Sequence, residues 1–330
     1  MSWTEVFQQF STARQPNGQF DSDGIRGKYI QNLVNHTGRP LIIYASAFLE
    51  PTKASLPSQL LMLTTGDKEG LIEVLSGLPG DKVDVFVHSP GGTAEGAESF
   101  VHILRDKFKD IRFIVPMAAK SAATMLVMSG DSIVMDIQSE LGPIDPQFLL
   151  HRPDGAAISV PAQAILDQFE KAQNQIVKQP QLLPSWLPIL QQMGPALIKQ
   201  AENAISLSRD LVKEWLEKFM LKNIRDKKKA AGSIANFLSN HNNFRSHGRV
   251  IDLTRISNEP KLKPLCLLDL RKEQILQELV RDLYHALSLS FNMTGMVKLF
   301  ENSAGVRVVK AIMQVMPLPQ IPVQPGPPTQ

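Results

Sequence analysis

Val83 to Gly92 reads VDVFVHSPGG, an apolar run closed by a serine, a proline and two glycines. The β-branched and aromatic residues favour a strand, and so few polar positions fit a strand buried on both sides. After the glycines the period changes. Phe100, Val101, Ile103, Leu104 and Phe108 recur at helical spacing, which predicts a helix over Ala94–Lys109. The alternation continues outward. Upstream, RPLIIYASAF (Arg39–Phe48) is β-rich and Thr65–Leu78 has helical spacing. Downstream, IRFIVPM (Ile111–Met117) reads as a strand, SAATMLVMSG (Ser121–Gly130) as a short apolar helix, and DSIVMD (Asp131–Asp136) as a further strand. Strands alternating with helices at these intervals predict an α/β fold on a parallel or mixed sheet with both faces covered.

Three regions follow. Residues 1–38 are an amphipathic segment, with Val6, Phe7 and Phe10 apolar, expected to pack on the core or on a neighbouring subunit. Residues 39–316 form the core with a helical extension: Pro161–Val177, Leu187–Lys222 with Gly194-Pro195 inside it, Lys227–Asn240 and Lys272–Phe300 have helical patterning. Residues 317–330, PLPQIPVQPGPPTQ, are proline-rich and read as a disordered tail. With 43% hydrophobic and 20% charged residues the composition is that of an ordinary globular protein. A net charge of +3 gives no reason to expect nucleic acid as a partner, and the Lys227–Lys229 run reads as a solvated helix face. The single cysteine, Cys266, excludes an internal disulfide or a multi-cysteine zinc site, and the seven histidines show no metal-ligand spacing, so no metal or other cofactor is expected. No secretory leader or membrane-spanning run is visible in MSWTEVFQQFSTARQ or beyond it, and the expectation is a cytoplasmic protein.

Two turns carry the chemistry. In SPGG, Gly91 and Gly92 follow a strand and precede a helix, so their amides can turn toward a ligand with no Cβ in the way. Such donors can hold an oxyanion, each contributing about 3 kcal/mol in acyl transfer. In MAAKSAATM (Met117–Met125), Ser121 opens a helix among alanines that allow close backbone approach. A lone serine there is more often a helix cap, worth about 1 kcal/mol. Two small-residue turns after consecutive strands, however, fall at the same sheet edge, where open α/β sheets bind ligands.

VDVFVHSPGG, AAKSAATMLVMSG and SELGPIDPQ together resemble serine proteases of the Clp/crotonase fold, in particular the serine dehydrogenase proteinases, related to signal-peptide peptidase A. The resemblance extends more loosely through Gly194–Leu216 and SHGRVID to ENSAGVRVVK, roughly residues 40 to 310. It implies a ββα superhelix with a helical C-terminal extension, Gly91 and Gly92 as the oxyanion hole, and Ser121 as nucleophile. It also implies peptides or unfolded proteins as substrates, and a homo-oligomer with contacts from Leu187–Lys222 and Lys272–Phe300.

The general base stays open. Clp-type peptidases use a histidine about 25 residues after the serine, just before a proline; here LGPIDPQ has Ile144 in that region and no histidine, and His151 comes late. Signal-peptide peptidases use a helical lysine, which makes Lys171 in LDQFEKAQNQI the first candidate and a Ser-Lys dyad the leading arrangement. For any one lysine a solvated helix face is the commoner role. His247 in FRSHGRVID is the other candidate, on a loop between helical and strand-like segments. Three further residues are candidates for substrate binding: His88 beside the glycine turn, Lys120 beside the serine, and Asp145 between Pro143 and Pro146, which can also orient a base or cap its turn. Two other functions compete. One is a crotonase-like acyl-CoA enzyme with Glu95 or Glu98 as acid/base, and the other is a non-catalytic peptide-binding scaffold.

Overall fold

Seven strands of this chain form one sheet, described here from a computed structural model covering residues 1–15, 18, 20–151, 155–194 and 196–312. Helices α1 (Trp3–Thr12) and α2 (Ser22–Thr37) come first, followed by β1 (Leu41–Ser46), α3 (Lys68–Val74), β2 (Lys82–His88), α4 (Ala94–Lys107) and β3 (Asp110–Val115). Next come β4 (Ala118–Ala119), α5 (Ala122–Met128), β5 (Ser132–Met135), β6 (Glu140–Leu141), and the hairpin β7 (Gln147–His151) and β8 (Ala157–Pro161). The remainder is α6 (Ala162–Lys178), α7 (Leu183–Met193), α8 (Leu197–Lys218), α9 (Lys227–Ser239), α10 (Leu253–Asn258), β9 (Leu267–Asp269), α11 (Gln274–Met293), β10 (Met296–Asn302) and β11 (Arg307–Ala311).

The large sheet has the order β11-β10-β1-β2-β3-β5-β9. Its five strands from β1 to β9 are parallel, and β10 and β11 add an antiparallel edge. The two-residue side-chain period of a strand divides the core. Ile42, Tyr44, Val83, Val85, Val87, Ile111, Phe113 and Val115 face a cluster with α3, α4, α5, α8 and α9. Leu41, Ile43, Ala45, Phe86, Ile114 and Val134 face a second cluster with α1, α2 and α11. The amphipathic N-terminal segment therefore packs on the core of its own chain. Its α1 opens with a capping box in which Ser2 and Glu5 bond reciprocally.

Asp84, on the central strand β2, is buried, and Arg39 and Arg112 hold its carboxylate at 2.7 and 2.5 Å. Isolated, such a charge would cost several kcal/mol in the interior.

A second row of very short pairings runs beside the large sheet. Leu63 bridges Gly92, Ser89 bridges Ala119, β4 pairs with β6, and Leu141 bridges Ile251. This row draws the ends of four separate segments together: the glycine turn, the serine turn, the Gly142–Asp145 stretch and the loop containing His247.

Beyond β6 the sequence reading needs correction in places. The β7–β8 hairpin precedes the helices, and the segment read as Leu187–Lys222 is two helices, α7 and α8, the first ending just before Gly194. Lys272–Phe300 is not one helix. It divides at Gly295 into α11 and β10, because β10 completes the sheet beside β1. One face of α11 is buried under α1 and α2. The expected proline-rich tail lies outside the described residues.

A smaller apolar cluster of Ala162, Ile165 and Ala201, with Phe148, Val160 and Leu197 around it, joins the β7–β8 hairpin to α6 and α8. Among the described residues no helix is long and apolar enough to cross a membrane.

Candidate active site

Ser121 sits where β4 gives way to α5, with φ 50° and ψ −121°. A non-glycine residue in that region carries about 1–3 kcal/mol of strain, which must be held by its surroundings. The holding contacts are visible. Thr124 Oγ1 donates to the Ala119 carbonyl at 2.6 Å and accepts from the Gly142 amide at 2.9 Å, tying the serine turn to the segment after β6. Ser121 is the N-cap residue by position, yet its side chain makes no capping bond. The commonest bland role of a serine at this place is therefore not in use.

The glycine turn presses directly on it. Gly91 has φ +89°, and a Cβ there would lie 2.4 Å from the Lys120 carbonyl oxygen and 2.7 Å from Ser121 Cβ. A Cβ on Gly92 would lie 1.9 Å from the Leu63 carbonyl oxygen. The two amides differ. That of Gly91 donates to Ser89 Oγ at 3.2 Å, whereas the bridge to Leu63 uses the Gly91 carbonyl and the Thr93 amide. Among the described residues the Gly92 amide has no protein acceptor. Ala122 begins α5, where helical geometry leaves the first amides without an intrahelical partner, and its nitrogen lies 2.9 Å from the place a Gly91 Cβ would take. The serine turn thus brings a backbone donor of its own beside the glycines. Sequence reading passed over Ala122, because a backbone N–H leaves no mark in residue identity.

Asp145 is buried between Pro143 and Pro146 and accepts from two histidines. His247 Nδ1 donates to Oδ1 at 2.7 Å, and His241 Nδ1 donates to Oδ2 at 2.8 Å. Gln147 Nε2 adds a third bond, to Oδ2, at 2.9 Å. An ionised carboxylate can only accept, so each imidazole carries its proton on Nδ1 and, when neutral, presents Nε2 as an acceptor. Tautomer and ring orientation of His247 are fixed together.

A cavity of about 1040 Å³ joins these groups. Ser121, Gly92, Asp145 and His247 lie on its wall, with Met62, Ala122, Met125, Ile144 and Leu207 supplying apolar surface. The other predicted site residues lie elsewhere. Lys171 is exposed on α6 and does not line the cavity. Lys120 turns away from it, with Nζ paired to Glu140 at 2.5 Å and bonded to the Leu141 carbonyl at 3.3 Å. His88, expected to bind substrate, is buried between the rings of Phe48 and Tyr284. Burial pushes its imidazole down to about 3, against one bond to the Ala118 carbonyl. Glu95 is an exposed residue on the cavity wall, and Glu98 is absent from the wall. Among the described residues no group of three or more His, Cys, Asp or Glu side chains is arranged to hold a metal.

Comparison with known proteins adds the following. Residues 58–240, over half of the chain, match the family model described as ClpP-like SDH-type serine proteinase. Two uncharacterized proteins of Methanocaldococcus jannaschii are 35% and 30% identical over 87 residues. Each match takes in 26% of this chain and 30% of the relative, so the chain spans less than a third of the length of the curated relatives it matches. Two solved structures of mutants of the 1510-N membrane-bound stomatin-specific protease, one of them with a substrate peptide, are 18% and 13% identical. They cover 33% and 66% of this chain, and 54% and 93% of their own chains, with TM-scores of 0.26 and 0.27. At those scores the likeness says nothing about this chain's site.

Proposed function

Because the chain belongs to the ClpP-like SDH-type serine proteinase family, we propose that it hydrolyses peptide bonds, with Ser121 as nucleophile, His247 as general base and Asp145 orienting the base. The observation that carries this reading is the 2.7 Å bond from His247 Nδ1 to buried Asp145, on a histidine that shares a cavity wall with Ser121. His247 Nε2 takes the Ser121 hydroxyl proton as Oγ bonds to the substrate carbonyl carbon. The carbonyl electron pair moves to oxygen, and the Gly92 and Ala122 amides receive that oxyanion. The imidazolium, stabilised by Asp145, then gives its proton to the leaving amine as the C–N bond breaks. Water repeats the sequence on the acyl-serine, and serine is regenerated.

A lysine base has less in its favour, since Lys171 is exposed and away from the cavity and Lys120 is held by Glu140. The reading extends to peptide or unfolded-protein substrates and to a homo-oligomer. On α7, Leu183, Leu187 and Ile189 are exposed, and no charged residue occurs between Lys178 and Lys199. A second copy covering that face would remove it from water, and a monomer by light scattering at micromolar concentration would count against this. The lone, free and exposed Cys266 favours a reducing compartment such as cytoplasm.

The test is digestion of an unfolded-peptide mixture read by mass spectrometry. Ser121→Ala and His247→Ala should each lower the rate on the order of 10⁴-fold or more, and Lys171→Ala should leave it unchanged. Loss of cleavage in Lys171→Ala with His247→Ala fully active would replace this mechanism by a Ser-Lys dyad.

A further inference from the structure

Asp145 is shared. Its Oδ1 serves His247 and its Oδ2 serves His241 and Gln147, so three donors from three places hold one buried carboxylate. His241 comes from the single turn after α9, whereas His247 comes from the loop six residues on, so the carboxylate clamps the two ends of this segment together. Of the two histidines only His247 lines the cavity, where Gln147 and Asp145 also lie. Gln147, at the start of β7, is a neutral amide that also lies near the Asp145 and Pro146 carbonyls, at 3.3 and 3.4 Å, and so is a diffuse anchor. His241 makes the shorter contact to Oδ2, and among the described residues that is the only hydrogen bond its Nδ1 makes.

We propose that His241 is a positioning residue for peptide hydrolysis: by donating from Nδ1 to Asp145 Oδ2 it fixes the carboxylate so that Oδ1 is presented to His247. This rests on the reading of Ser121, His247 and Asp145 given above. The physical reason is rotational. A carboxylate held weakly at one oxygen can turn about its Cβ–Cγ bond and release the base to its other tautomer, and without His241 the Oδ2 side keeps only Gln147, whose amide is shared with two backbone carbonyls. With Oδ1 in place, His247 keeps its proton on Nδ1 and its lone pair on Nε2 for the Ser121 hydroxyl. His241 touches neither the nucleophile nor the cavity, so it acts entirely through Asp145. Removing it should therefore change how often the base is correctly set and leave substrate binding alone.

The experiment compares wild type with His241→Phe, which keeps ring volume without the donor, and His241→Asn, whose Nδ2 can stand near the place of Nδ1. Peptide hydrolysis is measured together with labelling of Ser121 by a fluorophosphonate probe. The Phe variant should lose on the order of 10-fold or more in kcat and in labelling rate, with KM within about twofold, as for other residues that orient a catalytic ligand through a hydrogen bond. The Asn variant should recover most of both. A ¹⁵N-resolved imidazole spectrum of the wild type, which depends on no variant folding, should show His241 and His247 both protonated on Nδ1. Unchanged kcat and labelling in the Phe variant, a loss confined to KM, or a wild-type His241 protonated on Nε2 alone would each overturn the proposal. If His247→Ala is inactive while His241→Phe is fully active, this inference alone fails. If the wild type neither cleaves peptides nor takes the label, the reading beneath fails and this falls with it.

Discussion

Gly91 and Gly92 are the positions where one added methyl group has the most defined consequence. An alanine at Gly91 would need φ +89° and would place its Cβ 2.4 Å from the Lys120 carbonyl, against the serine turn itself. Gly91→Ala should lower kcat on the order of 10²-fold by pushing Ser121 and the Ala122 amide out of place, and should cost about 1–3 kcal/mol in stability. Peptide hydrolysis and denaturant unfolding measure the two effects separately; an active, equally stable variant would show that the turn has room. His88 makes the opposite case, a residue beside the site whose effect is on stability. Burial holds its imidazole at about 3, while in the unfolded chain it titrates near 6.5. Between those values the unfolded state binds one proton more than the folded state, so stability falls as pH falls through that window. The loss from this group should reach about 2 kcal/mol at pH 5. His88→Phe, packed between Phe48 and Tyr284, should flatten that part of the pH profile of urea unfolding, and an unchanged slope would remove His88 as its source. Of the proposed site, residue identity alone marked Ser121, the glycines and Asp145, because small-residue turns and a proline-bracketed acid are local features. It offered His247 only as one of two bases and missed His241, since their meeting at Asp145 depends on where two loops dock.

At the scale of elements, the row of short pairings decides the site, and Thr124 is where it can be tested. Its hydroxyl, on α5, satisfies both the Ala119 carbonyl of β4 and the Gly142 amide after β6. Thr124→Val keeps the shape and leaves two buried backbone groups unpaired, each costing about 1–3 kcal/mol. The expected outcome is a lower urea midpoint and a lower kcat, with Thr124→Ser retaining the bonds and most of both. A valine variant of wild-type stability would mean that β4 and β6 hold the turn without it. These pairings were not legible in the sequence, because one- and two-residue bridges carry no periodicity. The long strands were, since VDVFVH and IRFIVP are buried on both faces and read as continuous apolar runs. β10 was misread as the end of α11 because Met296, Val297, Leu299 and Phe300 fit helical spacing as well as a buried strand. The tie is broken only by pairing with β1. Lys171 illustrates the same limit: its helix was foreseen, but which way that helix faces the cavity is a matter of tertiary docking.

Over the whole molecule, the two faces of the sheet have separate duties, and this can be tested through the buried pair of Arg26 and Glu301. The proposed site lies on the side of α5 and α9, while α1, α2 and α11 close the other face. Arg26, on α2, is fully buried, bonds Glu301 of β10 at 2.5 Å and donates to Ser290 of α11 at 2.9 Å, thereby joining helix, strand and helix. Arg26→Met removes one partner and leaves the Glu301 carboxylate buried without its counter-charge. That should cost about 3–5 kcal/mol. The double variant Arg26→Met, Glu301→Leu buries no charge and should regain most of the loss, since replacing both members of a buried pair by apolar side chains is often near neutral. Urea unfolding of the two single variants and the double one closes the cycle, and a double variant as unstable as the singles would mean that packing around Arg26, rather than the ion pair, holds α2 to the sheet. Throughout this series kcat, measured below the unfolding transition, should stay at the wild-type value, because no contact of Arg26 reaches the cavity. A fall in kcat without unfolding would show instead that the two faces are mechanically coupled through β1 and β2.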